Sequence, residues 1–410
     1  MRASVSVLIA GTYNRSDAYP NVKYRIEHIH ADGRFEVLES HLALGTTLDY
    51  SSRSRLFVSA VRVLVSLLSG SLAFVSTAFR HRHRSVLYMP YPCIHLLWLL
   101  SFLPRRVAPP RVVADAFISV YDTVVNDRRL LRRHGVAARL LFAFERRAFR
   151  RASLVVTDTP ENSRFYARTF DLPPLRFRDV PLSIAPVGDE IRQESRSRHR
   201  ALRLVFVGTL VPLHGIGVLC EALRLLPPDL GVDVVLVGDG QDAPVVSRFM
   251  QSERPEEFAR TVTWLREWQS TGSLIRLIRS ADLCLGIFGS EGKSQRVLPF
   301  KSYLYLACGR PLITSRTAVT VRLRSEWSGP NPVLAVEPNS PSELAERIVS
   351  FARHPERARA LREPARKLFE GRLSDTEITR GLWLALAGGR FGEGHDVDRP
   401  GPARGLSRGS

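Results

Sequence analysis

Short apolar runs alternate with helical segments along nearly the whole chain, and this rhythm constrains the fold more than any other feature. Val5 to Ala10 is a buried-strand pattern that ends in Gly11-Thr12-Tyr13, where glycine lets the backbone come close to another group. Phe35 to Leu38, Val86 to Met89, Arg111 to Ala114 and Leu154 to Thr157 read as further strands. Between Arg139 and Ala152 the period becomes helical, with Leu141, Phe144 and Ala148 on one face and Arg139, Arg146 and Arg150 on the other. Thr159-Pro160 has the cap and first-turn chemistry that starts a helix. Strands that alternate with helices fit a parallel, doubly wound sheet.

The pattern then runs a second time. Ile191 to Arg200 is polar and charged and reads as a linker. After it come strands over Leu202–Val207, Val232–Val237, Leu283–Phe288 and Pro311–Thr314, with helices over Gly215–Leu226, Ser273–Ser280 and Phe300–Ala307. The expected architecture is α/β: a first Rossmann-like lobe over 1–190, a linker over 191–200, a second lobe over 201–388 and a disordered tail over 389–410. Sheets of this kind bind ligands at the carboxyl ends of their strands, which here means the cleft between the lobes.

Composition agrees with two folded lobes. The chain has 410 residues, 44% of them hydrophobic and 24% charged, which excludes a mostly disordered protein. Its four cysteines, Cys93, Cys220, Cys284 and Cys308, are far apart and form neither a zinc pattern nor a disulfide framework. With an N-terminus that does not read as a secretory signal, the expectation is a cytoplasmic protein. The formal charge of +19 admits nucleic acid, an anionic membrane or a phosphate-bearing substrate as partner. Aromatic residues make up only 9% of the chain and form no base-stacking motif among the basic residues, so nucleic acid ranks last.

One segment competes with a purely soluble reading. Val63 to Phe79 carries no charge and is flanked by Arg62 and by the run Arg80-His81-Arg82-His83-Arg84. It is at the lower limit for a spanning helix and holds serines and Gly70, so it reads as a buried or interfacial helix of the first lobe. A helix lying on the membrane is the alternative, supported by the basic stripe from Arg128 to Arg151. The arginines around His81 and His83 would repel a metal ion, and no metal site is expected.

Two stretches carry the chemistry. In Leu204 to Ile216 a strand ends at Gly208, a loop holds Thr209, Pro212 and His214, and Gly215 opens a helix. Free N–H groups at a helix start bind phosphate, and glycine admits the close approach. In Ala281 to Ile313 a strand runs into a glycine-bearing loop with Lys293 and Arg296, then a helix from Pro299 that stops at Gly309. Only four of the 59 basic residues are lysine, and two of them, Lys293 and Lys301, lie in this second stretch. That placement points to a phosphate-type contact.

Together these stretches resemble the C-terminal lobe of GT-B glycosyltransferases of family 4, also called glycosyl transferases group 1. The loop Gly208 to Gly215, the strand end Val237-Gly-Asp-Gly240 and the segment Pro299-x-Lys301 with Ala307-x-Gly309-x-Pro311 carry the resemblance. In the first lobe, Gly11-Thr-Tyr13, Asp115 to Asp122, Thr157-Asp-Thr159 and Val180 to Gly188 resemble the matching segments of one bacterial branch. The resemblance implies sugar transfer from a nucleotide-diphosphate sugar to a glycan or lipid-linked acceptor, with retained anomeric configuration, no metal and no other cofactor. It implies that Gly208, Thr209, His214 and Gly215 face the donor diphosphate, that Lys293, Arg296 and Lys301 neutralise the leaving group, and that Gly11, Thr12 and Asp115 line the sugar or acceptor side.

The chain departs from the family pattern in two ways. Many members carry a pair of glutamates, and aligned on Ala307 and Gly309 those positions are Arg296 and Leu304. Leucine cannot accept the ribose hydrogen bonds that the second glutamate receives, which leaves open a catalytically inactive GT-B protein that acts as a binding or scaffold partner in glycan assembly. The other departure is His214, where lysine is common. Asp115, Ser119, Asp122 and Asp158 are polar residues at strand ends, and for Asp158 helix capping is the expectation. No residue stands out as a catalytic base.

Overall fold

A computed structural model of the chain describes residues 4–15, 19–41, 70–127, 130–188, 201–252, 260–290 and 292–388. The expected linker 191–200, the tail, residues 63–69 and Arg128 lie outside these ranges.

Two parallel six-stranded sheets form the lobes. The first contains β1 (Val5–Gly11), β2 (Phe35–His41), β3 (Val86–Met89), β4 (Arg111–Asp115), β5 (Leu154–Thr157) and β6 (Phe177–Asp179), in the order β2-β1-β3-β4-β5-β6. The second contains β7 (Leu202–Val207), β8 (Val232–Val237), β9 (Thr261–Leu265), β10 (Leu283–Leu285), β11 (Leu312–Ser315) and β12 (Val333–Val336), in the order β12-β11-β10-β7-β8-β9. The winding reverses between β1 and β3 in one sheet and between β7 and β10 in the other. These reversals leave crevices at the strands' carboxyl ends.

Side chains alternate across each sheet, so consecutive residues feed different cores. In the first lobe Leu8, Ala10, Leu87, Met89, Val112 and Val155 face Phe74, Ala78, Leu97, Ala148 and Phe149. Val7, Ile9, Val86, Tyr88, Val113 and Val156 face the opposite layer with Val22, Ile26 and Ile29 of helix Pro20–Ala31. The second sheet is covered in the same way on both faces, which explains its nearly unbroken apolar strands.

Three edge or near-edge strands, β6, β9 and β12, are not evident in the sequence. β6 is three residues long with two exposed, and β9 alternates threonine with apolar residues on a half-exposed surface. Their pairing comes from the neighbouring strand and not from their own apolar content. The expected cap at the start of helix Pro160–Thr169 is present: the Thr159 side chain accepts from the Asn162 backbone N–H. Asp158 is not the cap and instead accepts from the Asn162 side-chain amide at 2.8 Å.

The lobe boundary at 388 needs correction. The last described helix, Asp375–Ala387, follows the second lobe in sequence but packs on the first. Its Ile378, Leu382, Ala385 and Leu386 share a core with Val7, Ile9 and Ile26, and Arg111 donates two hydrogen bonds to the Ala385 carbonyl. The chain therefore crosses between lobes twice. Leu382→Ala should lower stability to urea by about 3 kcal/mol, as for a well-packed leucine. A loss below about 1 kcal/mol would show that this helix is only loosely attached.

Candidate functional site

The second lobe's reversal point is built from backbone segments in close contact. Beyond the strand ends the sheet bonding continues: Gly208 N–H donates to Val237 O, Gly238 N–H to Leu265 O, and Gly286 N–H to Ile313 O. Leu210 N–H donates to Asp239 O at 3.1 Å, which joins the loop after β7 to the loop after β8. Gly215 has φ +61°, and a Cβ there would collide with the backbone of Phe288 and Gly289 just after β10. Phe288 N–H also donates to His214 O at 3.0 Å. These contacts are why the motif from Gly208 to Gly215 requires glycine at its last position.

Lys301 lies at the centre of this arrangement. It is on the first turn of helix Phe300–Ala307, is 6% exposed, and its Nζ has no hydrogen-bond partner among the described residues. Its ammonium stands 3.7 Å over the Phe206 ring, a cation–π contact that replaces little of the hydration lost on burial. Burial holds its pKa well below the usual lysine value. His214 is also buried and its Nδ1 is also unpartnered. Burial, then the neighbouring Lys301 charge, drives its pKa well below that of a free histidine, against a hydrogen bond with the Thr209 backbone. Both groups meet at Gly208: a Cβ on that glycine would stand 2.7 Å from His214 Cε1 and 3.2 Å from Lys301 Nζ. Two buried nitrogens without counter-charge beside a bare glycine and the exposed Thr209 form a cradle that an anion would satisfy.

The other two cations of the sequence reading are engaged elsewhere. Arg296 pairs with Asp122 of the first lobe at 2.5 Å and stacks 3.4 Å over the Phe165 ring. Lys293 donates to Thr123 Oγ1 at 3.2 Å and lies 3.6 Å from Asp127. Both first-lobe acids sit on one π-helical turn, Asp122–Asp127. The sequence shows Asp122 only as one of four polar residues at strand ends and does not supply these partners, because a contact between lobes leaves no periodic trace in either.

On the first lobe, Gly11 and Thr12 lie at the carboxyl end of β1, beside the reversal point. Thr12 Oγ1 is hydrogen-bonded to His95 Nε2 at 3.0 Å. Asp115 does not line the cleft. It is fully buried, with Oδ2 accepting from Arg25 and from Tyr88 Oη, both at 2.7 Å. Arg25 also donates to Val180 O and Pro181 O, so this hub ties helix Pro20–Ala31 to the segment leaving the lobe. Ser119 donates to buried Glu145, which also accepts from the Val120 and Tyr121 N–H groups and so pins the turn before Asp122. Leu304 packs in the second lobe's core beside Tyr303 and Tyr305. Among the described residues no cluster of three His, Cys, Asp or Glu side chains could hold a metal ion.

The family model of glycosyl transferases group 1 matches residues 201–354, the lobe that carries the cradle. The chain has the GT-B fold, and its second lobe matches the group 1 glycosyl transferase model. Among solved structures it is similar to Anabaena Alr3699/HepE in complex with UDP, with TM-score 0.62 and 13% identity, covering 94% of this chain and 99% of that one. The complex of the same Anabaena protein with UDP-glucose gives TM-score 0.61 and 15% identity over 93% and 99% of the two chains. Sucrose-phosphate synthase from Thermosynechococcus elongatus gives TM-score 0.63 and 16% identity over 92% and 97%. A sequence search of curated proteins finds no match. The GT-B architecture expected from the sequence is thus the observed one.

The depressed pKa values of Lys301 and His214 have a thermodynamic consequence. An anion placed between them favours their charged forms, so its binding takes up protons and tightens as pH falls towards neutrality from above. A nucleotide sugar suits the test, because its diphosphate has no group titrating near pH 7. Calorimetry in two buffers of different ionisation enthalpy should show net proton uptake at pH 8. Proton release, or none, would contradict the geometry described for Lys301.

Proposed function

We propose that the chain is a retaining, metal-independent glycosyltransferase that moves a sugar from a nucleotide-diphosphate donor to a glycan or lipid-linked acceptor. The observation that carries this reading is the buried, uncompensated Lys301 ammonium beside Gly208 at the reversal point of a group 1 lobe. In the reaction the bond between the anomeric carbon and the β-phosphate oxygen breaks while a bond to the acceptor oxygen forms. The negative charge that develops on the β-phosphate meets Lys301, His214 and the Thr209 backbone N–H. Fixed cations and dipoles lower that barrier without reorganising, the role a divalent metal would otherwise fill. The leaving phosphate accepts the acceptor's proton, so no protein base is required. Gly11 and Thr12 supply the opposite wall, next to the transferred sugar. The complexes of the Anabaena protein with UDP and UDP-glucose support a uridine nucleotide as the first donor to try.

Transfer or donor hydrolysis, assayed with UDP-, GDP- and ADP-sugars, tests the reading. Lys301→Ala should lower the rate roughly a hundredfold or more with the fold intact by circular dichroism. An undiminished rate would remove Lys301 from the site. Leu304 favours a second reading, a GT-B protein that binds donor or partner without transfer. Nucleotide binding without turnover of any tested sugar would select it.

The first lobe also supports docking on an anionic membrane. Helices 70–80, Ile94–Leu100 and Val136–Arg151 cover one face of its sheet and leave Leu72, Phe79, Phe102, Val136 and Leu140 exposed. Arg82 stacks on Phe79 and Arg147 on Phe102, so charge and apolar surface occupy the same patch. No helix among the described residues is long and apolar enough to cross a membrane. A patch of this kind lies on the surface and holds anionic headgroups through its arginines. Phosphatidylglycerol vesicles should sediment the protein at low salt and release it at high salt, and Leu72→Ser with Phe79→Ser should weaken capture. Equal capture by neutral vesicles would contradict the proposed surface.

A further inference from the structure

Two of the cations that the family resemblance assigns to the donor are held by first-lobe carboxylates, and the geometry gives that arrangement a function. Arg296 is 9% exposed and is fixed from three directions: Asp122 at 2.5 Å, the Phe165 ring at 3.4 Å, and Thr159 Oγ1, which donates to the Arg296 carbonyl at 2.5 Å. Lys293 is held less tightly, 3.6 Å from Asp127. The acids are not on a loose loop. Asp122 and Asp127 begin and end one π-helical turn whose entry is clamped by the buried Glu145 carboxylate through three hydrogen bonds. Asn126 further fixes Asp122 by donating to its Oδ1 at 2.9 Å. Lys301, on the same segment of the second lobe, has no such acid.

We infer that Asp122 and Asp127 are internal stand-ins for the donor's diphosphate, holding Arg296 and Lys293 across the cleft until an arriving nucleotide displaces them. The inference rests on the proposed function, since it requires a diphosphate at Lys301. Lys301 provides the first contact, because it is the cation with no partner to give up. The diphosphate then competes for Lys293, whose pair is the longer and weaker, and afterwards for Arg296. Each exchange replaces one carboxylate with a phosphate oxygen, so neither cation is left without a counter-charge. The contacts thus form a latch that the donor opens.

Calorimetry with UDP, GDP and ADP on the full chain tests this. Removing a competing carboxylate should tighten nucleotide binding, so Asp122→Asn should bind about tenfold more tightly than wild type, a normal size for coupling between sites. Asp127→Asn should shift affinity in the same direction by less, and it serves as the test if Asp122→Asn does not fold. If the pairs only fasten the lobes together, both variants will bind equally or more weakly, and the latch is overturned. Lys301→Ala separates the two levels. Loss of binding in Lys301→Ala together with unchanged or weaker binding in the aspartate variants sinks the latch and leaves the site standing. If neither wild type nor the Asp122→Asn, Asp127→Asn double variant binds any of the three nucleotides, both fall. Binding by the double variant alone would support the latch in its strongest form.

Discussion

Between β7 and β10 the second sheet reverses its winding, and the chemistry of the cleft depends on that reversal. Neighbouring strands send their chains to opposite faces, so the edge between them cannot be closed by a crossing loop. What lines the gap is backbone: Gly208 after β7, Gly215 pressed on Phe288 and Gly289 after β10, and Gly238 against Gly208 from β8. Backbone packed this tightly leaves no room for a side chain at Gly215 or Gly238. Helix Phe300–Ala307 then delivers one ammonium into the gap, and nothing among the described residues neutralises it.

A buried cation without a partner is destabilising, and the fold responds through pKa and not through pairing. Burial shifts Lys301 and His214 towards their neutral forms. Lys293 and Arg296 follow the other course and recruit carboxylates from the facing lobe. Opposite charges spread over two lobes also explain how they stay aligned across a cleft, with the Arg322–Glu161 pair at 2.9 Å adding a third tie.

Much of this is written in the sequence, and the gaps have physical causes. The strands β1, β3, β4, β5, β7, β8 and β11 are apolar runs because each is buried on both faces, and such runs need no context to be recognised. The edge strands β6 and β9 borrow their partners' hydrogen bonds and leave little trace. Of the motif residues, Gly208, His214 and Lys301 come together, and Gly215 packs on the chain after β10. Asp115 is misread because a strand-end carboxylate looks the same in sequence whether it faces a cleft or a buried arginine, and Arg25 lies ninety residues away in the chain. The return of helix Asp375–Ala387 to the first lobe is invisible for the same reason: its amphipathic pattern says that one face is covered, not by which lobe.

The proposed diphosphate site of this GT-B chain is formed by Lys301 and the Gly208 loop. A crystal structure of the full chain with the nucleotide that most raises its melting temperature tests this directly. Diphosphate oxygens should lie within hydrogen-bond reach of Lys301 Nζ and of the Thr209 backbone N–H. A nucleotide bound elsewhere, such as the arginine-lined cavity of about 400 Å³ between Ile184–Val187 and Arg310, with Lys301 still uncontacted, would contradict it.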